Sequence, residues 1–210
     1  MRSMNRRNEI LAAAAEVFAQ HGFRGSTTRR IAGAAGVNEI TLFRQFGSKE
    51  ELIRQAMHFC SQFVGFTPLP DVAVDPEAEL TAWSESFIRH LRLQSSMIRK
   101  TMSEIEERPE MSEMASAVPR QASADLCRYL TALKRQGWIT DKFDAKTAAA
   151  MLMGSIFADA MGRGMMPEVY PQADKAAHMY TQLLLRALGV ENTSSKATNK
   201  QTKRSKQLSA

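Results

Sequence analysis

The 26 residues TTRRIAGAAGVNEITLFRQFGSKEEL, Thr27 to Leu52, constrain the fold more than any other part of the chain. Ile31 and Ala35 anchor one short apolar period. Val37, Leu42 and Phe46 carry a second, and the pair Ala35-Gly36 separates them. Two short helices joined by a tight glycine-containing turn make a helix-turn-helix. The Ser48-to-Glu51 spacing predicts a capping box, in which each side chain bonds the other's backbone N–H. Val37, Leu42 and Phe46 are expected to face inward, against Ile31 and Phe18. The outward face then presents Glu39, Ile40, Thr41, Arg44 and Gln45.

Helical periods dominate the rest of the chain. Ile10, Ala14, Val17 and Phe18 form an opening helix that stops at His21-Gly22. Leu52, Ile53, Ala56, Met57, Cys60 and Phe63 make a wide apolar stripe. Gly65, Pro68, Pro70, Asp75 and Pro76 then mark a linker. Beyond it, helices carry Leu80, Trp83, Phe87, Ile88 and Leu91; Leu126, Leu130 and Leu133, stopped by Gly137; Met151, Leu152, Ile156 and Ala160; and Met179, Leu183, Leu184, Ala187 and Leu188. Strand and hairpin signals are weak, so the fold class is all-α, with about nine helices. The expected domains are 1–52, a reading head preceded by a short basic arm; 53–190, a helical body; and 191–210, a disordered basic tail poor in apolar residues.

Of the net charge of +6, residues 1–50 hold eight bases and four acids, or +4, and residues 191–210 hold five bases and one acid, again +4. The middle 140 residues therefore sum to −2. Only the ends are basic, as expected where an end meets a polyanion. Cys60 and Cys127 build neither a disulfide framework nor a metal spacing. The longest apolar run, Ala148 to Ala158, is too short for a bilayer span. The expected setting is the reducing cytoplasm. No nucleophile–base set, Walker loop or dinucleotide fingerprint is present, His58 and Cys60 fall on different helix faces, and "GRGMMP" at Gly162 lacks a preceding strand. Catalytic residues, metal and cofactor are accordingly expected to be none, and an enzyme is the disfavoured class.

The second helix of a helix-turn-helix fits the major groove, with residues near its N-terminus reaching base edges. The expected DNA-binding set is Thr27, Thr28, Glu39, Ile40, Thr41, Phe43, Arg44, Gln45 and Lys49. Ile40 and the Thr41 methyl suit thymine methyls. Arg44 suits guanine or phosphate, and Gln45 suits adenine or a phosphate oxygen. Thr27, Thr28 and Lys49 lie near helix starts, where they would hold phosphate and set register. Glu39 has a second reading, as a helix-dipole partner in the first turn. Arg30 reads as a solvated charge. Arg2, Arg6 and Arg7 read as a loose start rather than a minor-groove arm.

"GFRGSTTRRIAGAAGVNEITLFRQFGSKEEL", Gly22 to Leu52, resembles the TetR family of bacterial transcriptional regulators. The resemblance rests on Gly22, Thr27-Thr28, Ile31-Ala32, Ala35-Gly36-Val37, Leu42-Phe43, Phe46 and Ser48-Lys49-Glu50, and it spans about residues 6–64. It implies a three-helix DNA-binding head and a helical body that binds a small ligand and dimerises, with repression as the usual sign. The chain departs from the family pattern at Asn38, where Ser is frequent, at Ile40, where Gly or Pro is, and at Gln45, where an aromatic residue is. Phe43 replaces a frequent Tyr, so one hydroxyl-to-phosphate bond is missing. Asn38 keeps the N-cap chemistry.

In the body, Trp83, Phe87, His90, Met97, Met102, Met114 and Tyr129 are the candidate lining of an apolar ligand pocket, set against an ordinary bundle core. The helices near 145–161 and 173–188 have broad apolar faces with Ala148, Ala149, Gly154 and Ala158 as close-approach positions. Two from each chain would form a four-helix homodimer interface. The expected partners are double-stranded DNA carrying a palindromic operator, a small-molecule effector and a second copy of the chain, with no membrane. The alternative is a ligand-independent DNA-binding regulator or architectural factor.

Overall fold

The computed structural model describes residues 5–62, 66–139 and 142–190, apart from the side chains of Ser61, Gln62 and Met114. Phe63 and the basic tail, with Lys196 to Lys206, lie outside the described residues, as does Arg2. Among the described residues there are nine α-helices and one short 3₁₀ turn, with no strand. The helices are α1 (Arg6–Gly25), α2 (Thr28–Ala35), α3 (Glu39–Phe46), α4 (Lys49–Gln62), α5 (Pro76–Leu93), α6 (Ser95–Glu104), α7 (Met111–Arg135), α8 (Ala145–Gly162) and α9 (Ala176–Ala187). No described helix is long and apolar enough to cross a membrane. Among the described residues no group of three or more His, Cys, Asp or Glu is placed to hold a metal ion.

The described residues form two compact units, one within 1–65 and 90–121, the other within 66–89 and 122–210. The first is built on α1. Ile10, Ala14, Val17 and Phe18 bury one face of that helix, and Ile31, Leu42, Phe46, Leu52, Ile53 and Ala56 close over it. Met97, Ile105 and Met111 complete the same core, so α6 and the start of α7 belong to it as well. Helix α6 has no full apolar stripe in its sequence, and Pro119 sits inside α7. Those two features hid α6 and the first half of α7 from the periodicity, while Leu126, Leu130 and Leu133 marked the second half of α7. Proline inside a helix costs one backbone bond, which packing on the flanking turns offsets here.

The second unit packs Leu80, Trp83, Phe87, Leu126, Tyr129, Leu130, Leu133, Leu152 and Ile156 as its largest buried groups. The Trp83 and Phe87 rings stack at 5.2 Å, and Phe66 meets Phe87 edge-on at 5.2 Å. Most polar groups buried in this unit are paired, the Thr81 hydroxyl being an exception. Tyr129 donates its hydroxyl to Glu79, whose other oxygen accepts from Val74 N–H at 2.8 Å and Asp75 N–H at 3.0 Å. Burial and that carboxylate push the Tyr129 phenol up. Asp159, fully buried on α8, accepts from Arg163 Nε at 2.8 Å and from the Tyr180 hydroxyl of α9 at 2.9 Å. Burial first, then the Asp159 bond, pushes Tyr180 up to about 12.

The ends of the helices follow the local sequence. Asn38 accepts from Ile40 N–H at 3.0 Å at the start of α3, Asp144 from Thr147 N–H at 2.7 Å at the start of α8, and Asp75 from Ala78 N–H at 3.1 Å ahead of Pro76. Only half of the Ser48 capping box forms. Ser48 Oγ accepts from Glu51 N–H at 3.1 Å, but the Glu51 carboxylate turns to Arg54 Nε, 2.7 Å away, and to Gln55. A charged, bidentate partner one turn on outbids a single backbone N–H. Those bonds hold Glu51 down at about 2.

Candidate nucleic-acid interface

The interface is prepared at the end of α1. The helix breaks at Gly22, whose φ of 66° and ψ of −173° only glycine adopts without strain. A Cβ there would run into Lys100 and Glu104 of α6. The next residue, Phe23, is a hub. Its N–H donates to Glu104 Oε1 at 3.0 Å, and its carbonyl accepts from Lys49 Nζ at 3.2 Å. Its ring lies 4.2 Å from the Lys49 ammonium and 3.6 Å from the Arg108 guanidinium. Buried Ser26 closes the turn by donating its hydroxyl to Gly22 O at 2.6 Å.

Thr27 then caps α2, accepting from Arg30 N–H at 3.2 Å. Gly36 ends that helix in the left-handed region, φ 61° and ψ 39°, and turns the chain into α3. The turn carries an added clamp, since Arg6 of α1 donates to Gly36 O at 2.8 Å. Arg7 bonds Gln55 and lies 5.1 Å over the Phe46 ring. The reading of Arg6 and Arg7 as a loose start is therefore corrected: both are the first turn of α1 and hold the head together. Isolated Arg residues near a terminus give no signal of this, because their partners lie 30 and 48 residues away.

Helix α3 divides sharply. Leu42 and Phe46 are buried and Val37 packs against the same core, as the inward set requires. Ile40 is 73% exposed and Phe43 52%, and Arg44 and Gln45 also face solvent. Thr41 is half-buried. Four of the expected DNA-facing groups have protein partners: Thr27, which caps α2, and Thr28, Glu39 and Lys49. The Glu39 carboxylate accepts the Thr28 hydroxyl at 2.7 Å, which ties the first turn of α3 to the first turn of α2. Lys49 sits on Phe23 as described above. Arg29 and Arg30 lie exposed in the first turn of α2, with Arg30 also reaching Gly25 O. From Thr27 to Lys49 the chain counts four bases and one acid, a net +3.

The seven candidate pocket residues are placed in both units. Trp83, Phe87 and Tyr129 are buried in the second. His90, Met97 and Met102 fall in the first, where Met97 packs on the head core and Met102 is 55% exposed. Burial holds the His90 imidazole below its ordinary range. The Met114 side chain lies outside what is described.

Residues 10–56 match the family described as bacterial regulatory proteins, tetR family. Among curated relatives, the transcriptional repressor AcnR of Corynebacterium efficiens is 45% identical over 49 residues, 23% of this chain and 26% of the relative. The transcriptional repressor KstR2 of Mycolicibacterium smegmatis is 34% identical over 79 residues, covering 37% of this chain and 38% of the relative. The matches thus span about a quarter to two-fifths of the relatives' lengths. The fold extends the likeness. The transcriptional regulator FadR of Bacillus subtilis, solved in complex with stearoyl-CoA, superposes with a TM-score of 0.60 at 20% identity, covering 86% of this chain and 96% of that one. Residues 10–56 thus carry the helix-turn-helix of the tetR family of bacterial regulatory proteins, and the chain shares its all-helical fold with solved regulators such as FadR.

Proposed function

We propose that this chain is a transcriptional repressor that binds a palindromic DNA operator as a homodimer and is released by a small hydrophobic ligand. One observation carries the reading. Helix α3 buries Leu42 and Phe46 and leaves Ile40, Phe43, Arg44 and Gln45 open to solvent, on a head with a net charge of +3 between Thr27 and Lys49. Thr27, Thr28 and Lys49 are proposed to lie along the phosphates, and Ile40, Thr41, Phe43, Arg44 and Gln45 to face the groove, with Glu39 contributing by holding Thr28. The backbone N–H groups at the starts of α2 and α4 suit anions.

Dimer formation is supported by α8 and α9. Met151, Gly154, Ser155 and Ala158 form one exposed stripe on α8, and Met179, Leu183 and Ala187 one on α9. The Ser155 hydroxyl is already spent on Met151 O at 2.9 Å, so the α8 stripe is apolar. A second copy covering it would place two heads about one DNA turn apart, roughly 34–36 Å. For release, the ligand must bind the off-DNA arrangement more tightly, by about 1–3 kcal/mol. The stearoyl-CoA of the structurally similar FadR makes long-chain acyl-CoA thioesters the first effectors to test.

Selection of bound duplexes from a random pool by the full chain tests the proposal. A palindrome recovered with the wild type and lost with Arg44→Ala and Gln45→Ala supports it. Equal binding to scrambled DNA overturns it. Release of the selected duplex by acyl-CoA, or by other hydrophobic compounds, then tests the effector.

A further inference from the structure

We infer that base recognition in the first turn of α3 is apolar, and that each operator half-site presents a thymine C5-methyl group to Ile40. The inference rests on the regulator reading above and deepens it. Three residues occupy that first turn: Glu39, Ile40 and Thr41. Glu39 is committed, because its carboxylate holds the Thr28 hydroxyl at 2.7 Å. Thr41 is half-buried. Ile40 alone projects freely, 73% exposed. At i and i+3 and i+4, Ile40, Phe43 and Arg44 share one helix stripe. That stripe therefore runs apolar, apolar, cationic, with Phe43 52% exposed.

A β-branched hydrocarbon has neither donor nor acceptor to offer a base edge. In the major groove the apolar feature of the four bases is the thymine methyl, so that is the group an exposed isoleucine distinguishes. The surroundings favour DNA as the occupant of this exposed face. Arg44 lies on the same stripe, Arg29 and Arg30 are exposed in the first turn of α2, which the Thr28–Glu39 bond ties to the first turn of α3, and the segment Thr27–Lys49 sums to +3. The Glu39–Thr28 bond acts on position alone: it fixes α3 on α2 and keeps the one acid of the segment off the bases.

The test uses the full chain and the duplex it selects. Each thymine of that duplex is replaced in turn by deoxyuridine, symmetrically in both half-sites, which removes the methyl and leaves every hydrogen-bonding edge. At one position the wild type is expected to lose about fourfold in affinity per half-site, the transfer value of one methyl group. Ile40→Ala, an exposed substitution whose folding is checked by circular dichroism, is expected to bind more weakly and to ignore the same replacement. Ile40→Val is expected to keep part of the sensitivity. The inference is overturned if no replacement costs the wild type more than twofold while scrambled DNA is still rejected, an outcome that leaves the regulator reading standing. It is equally overturned if Ile40→Ala retains the full sensitivity. Failure of the chain to discriminate any sequence from scrambled DNA overturns the regulator reading, and this inference with it.

Discussion

Gly22 is the residue whose replacement has the most legible consequence. Its φ of 66° and ψ of −173° exclude side chains, and the space its Cβ would enter is held by Lys100 and Glu104. Gly22→Ala is expected to destabilise the chain by about 1–3 kcal/mol, measured as a lower urea midpoint. A midpoint unchanged from wild type would show that α1 does not depend on this break. The sequence marks Gly22 as a helix stop, but not that Glu104, 81 residues from Phe23, completes the break by accepting Phe23 N–H. His90 gives a pH prediction. Half-burial lowers its affinity for a proton, so the unfolded chain binds that proton more strongly than the folded one. The contribution of His90 is whole above the ordinary histidine value of about 6.5 and is lost as the pH falls below it. Thermal melts should therefore show Tm declining between pH 7 and 5.5. His90→Gln should flatten that decline, and an equal decline in the variant would assign it to other groups.

At the scale of the element, α3 has eight residues, too few to persist without a cap and a core. Asn38 supplies the cap at 3.0 Å, so Asn38→Ala is expected to cost about 1 kcal/mol. Amide exchange localises the effect: faster exchange across Glu39–Phe46, with α8 unaffected, is the expected pattern. Uniform change across the chain would mean that α3 does not open separately. The buried face of α3 was legible because Leu42 and Phe46 repeat at helical spacing. The bond from Thr28 to Glu39 was not, since nothing in either residue type marks it as reserved for the other. The Ser48 box was half legible, because Glu51 has two competing partners on its own helix, Arg54 and Gln55, and they win on charge and number.

For the whole molecule the proposed dimer rests on the exposed apolar stripes of α8 and α9. Leu183 is 70% exposed on α9, so its replacement leaves the core of the protomer untouched. Leu183→Arg is expected to convert the proposed dimer to a monomer in sedimentation velocity, with the melting of the protomer little changed. Because each head then binds alone, affinity for the selected palindrome should fall at least tenfold, while binding to a single half-site changes little. A variant that sediments as the wild type would remove α9 from the interface.

Periodicity, glycine punctuation and the lopsided charge were enough by themselves to establish an all-helical chain with a basic helix-turn-helix near its start. These are local properties, written within one or two turns of each residue. Tertiary packing alone decided which charged groups stay available to a partner. Arg6, Arg7, Glu39 and Lys49 are ordinary surface types, yet each is taken by an atom distant in sequence: Gly36 O, Gln55, Thr28 and Phe23. A charged side chain goes to the best partner within its reach in space, and that partner exists only once the helices have packed.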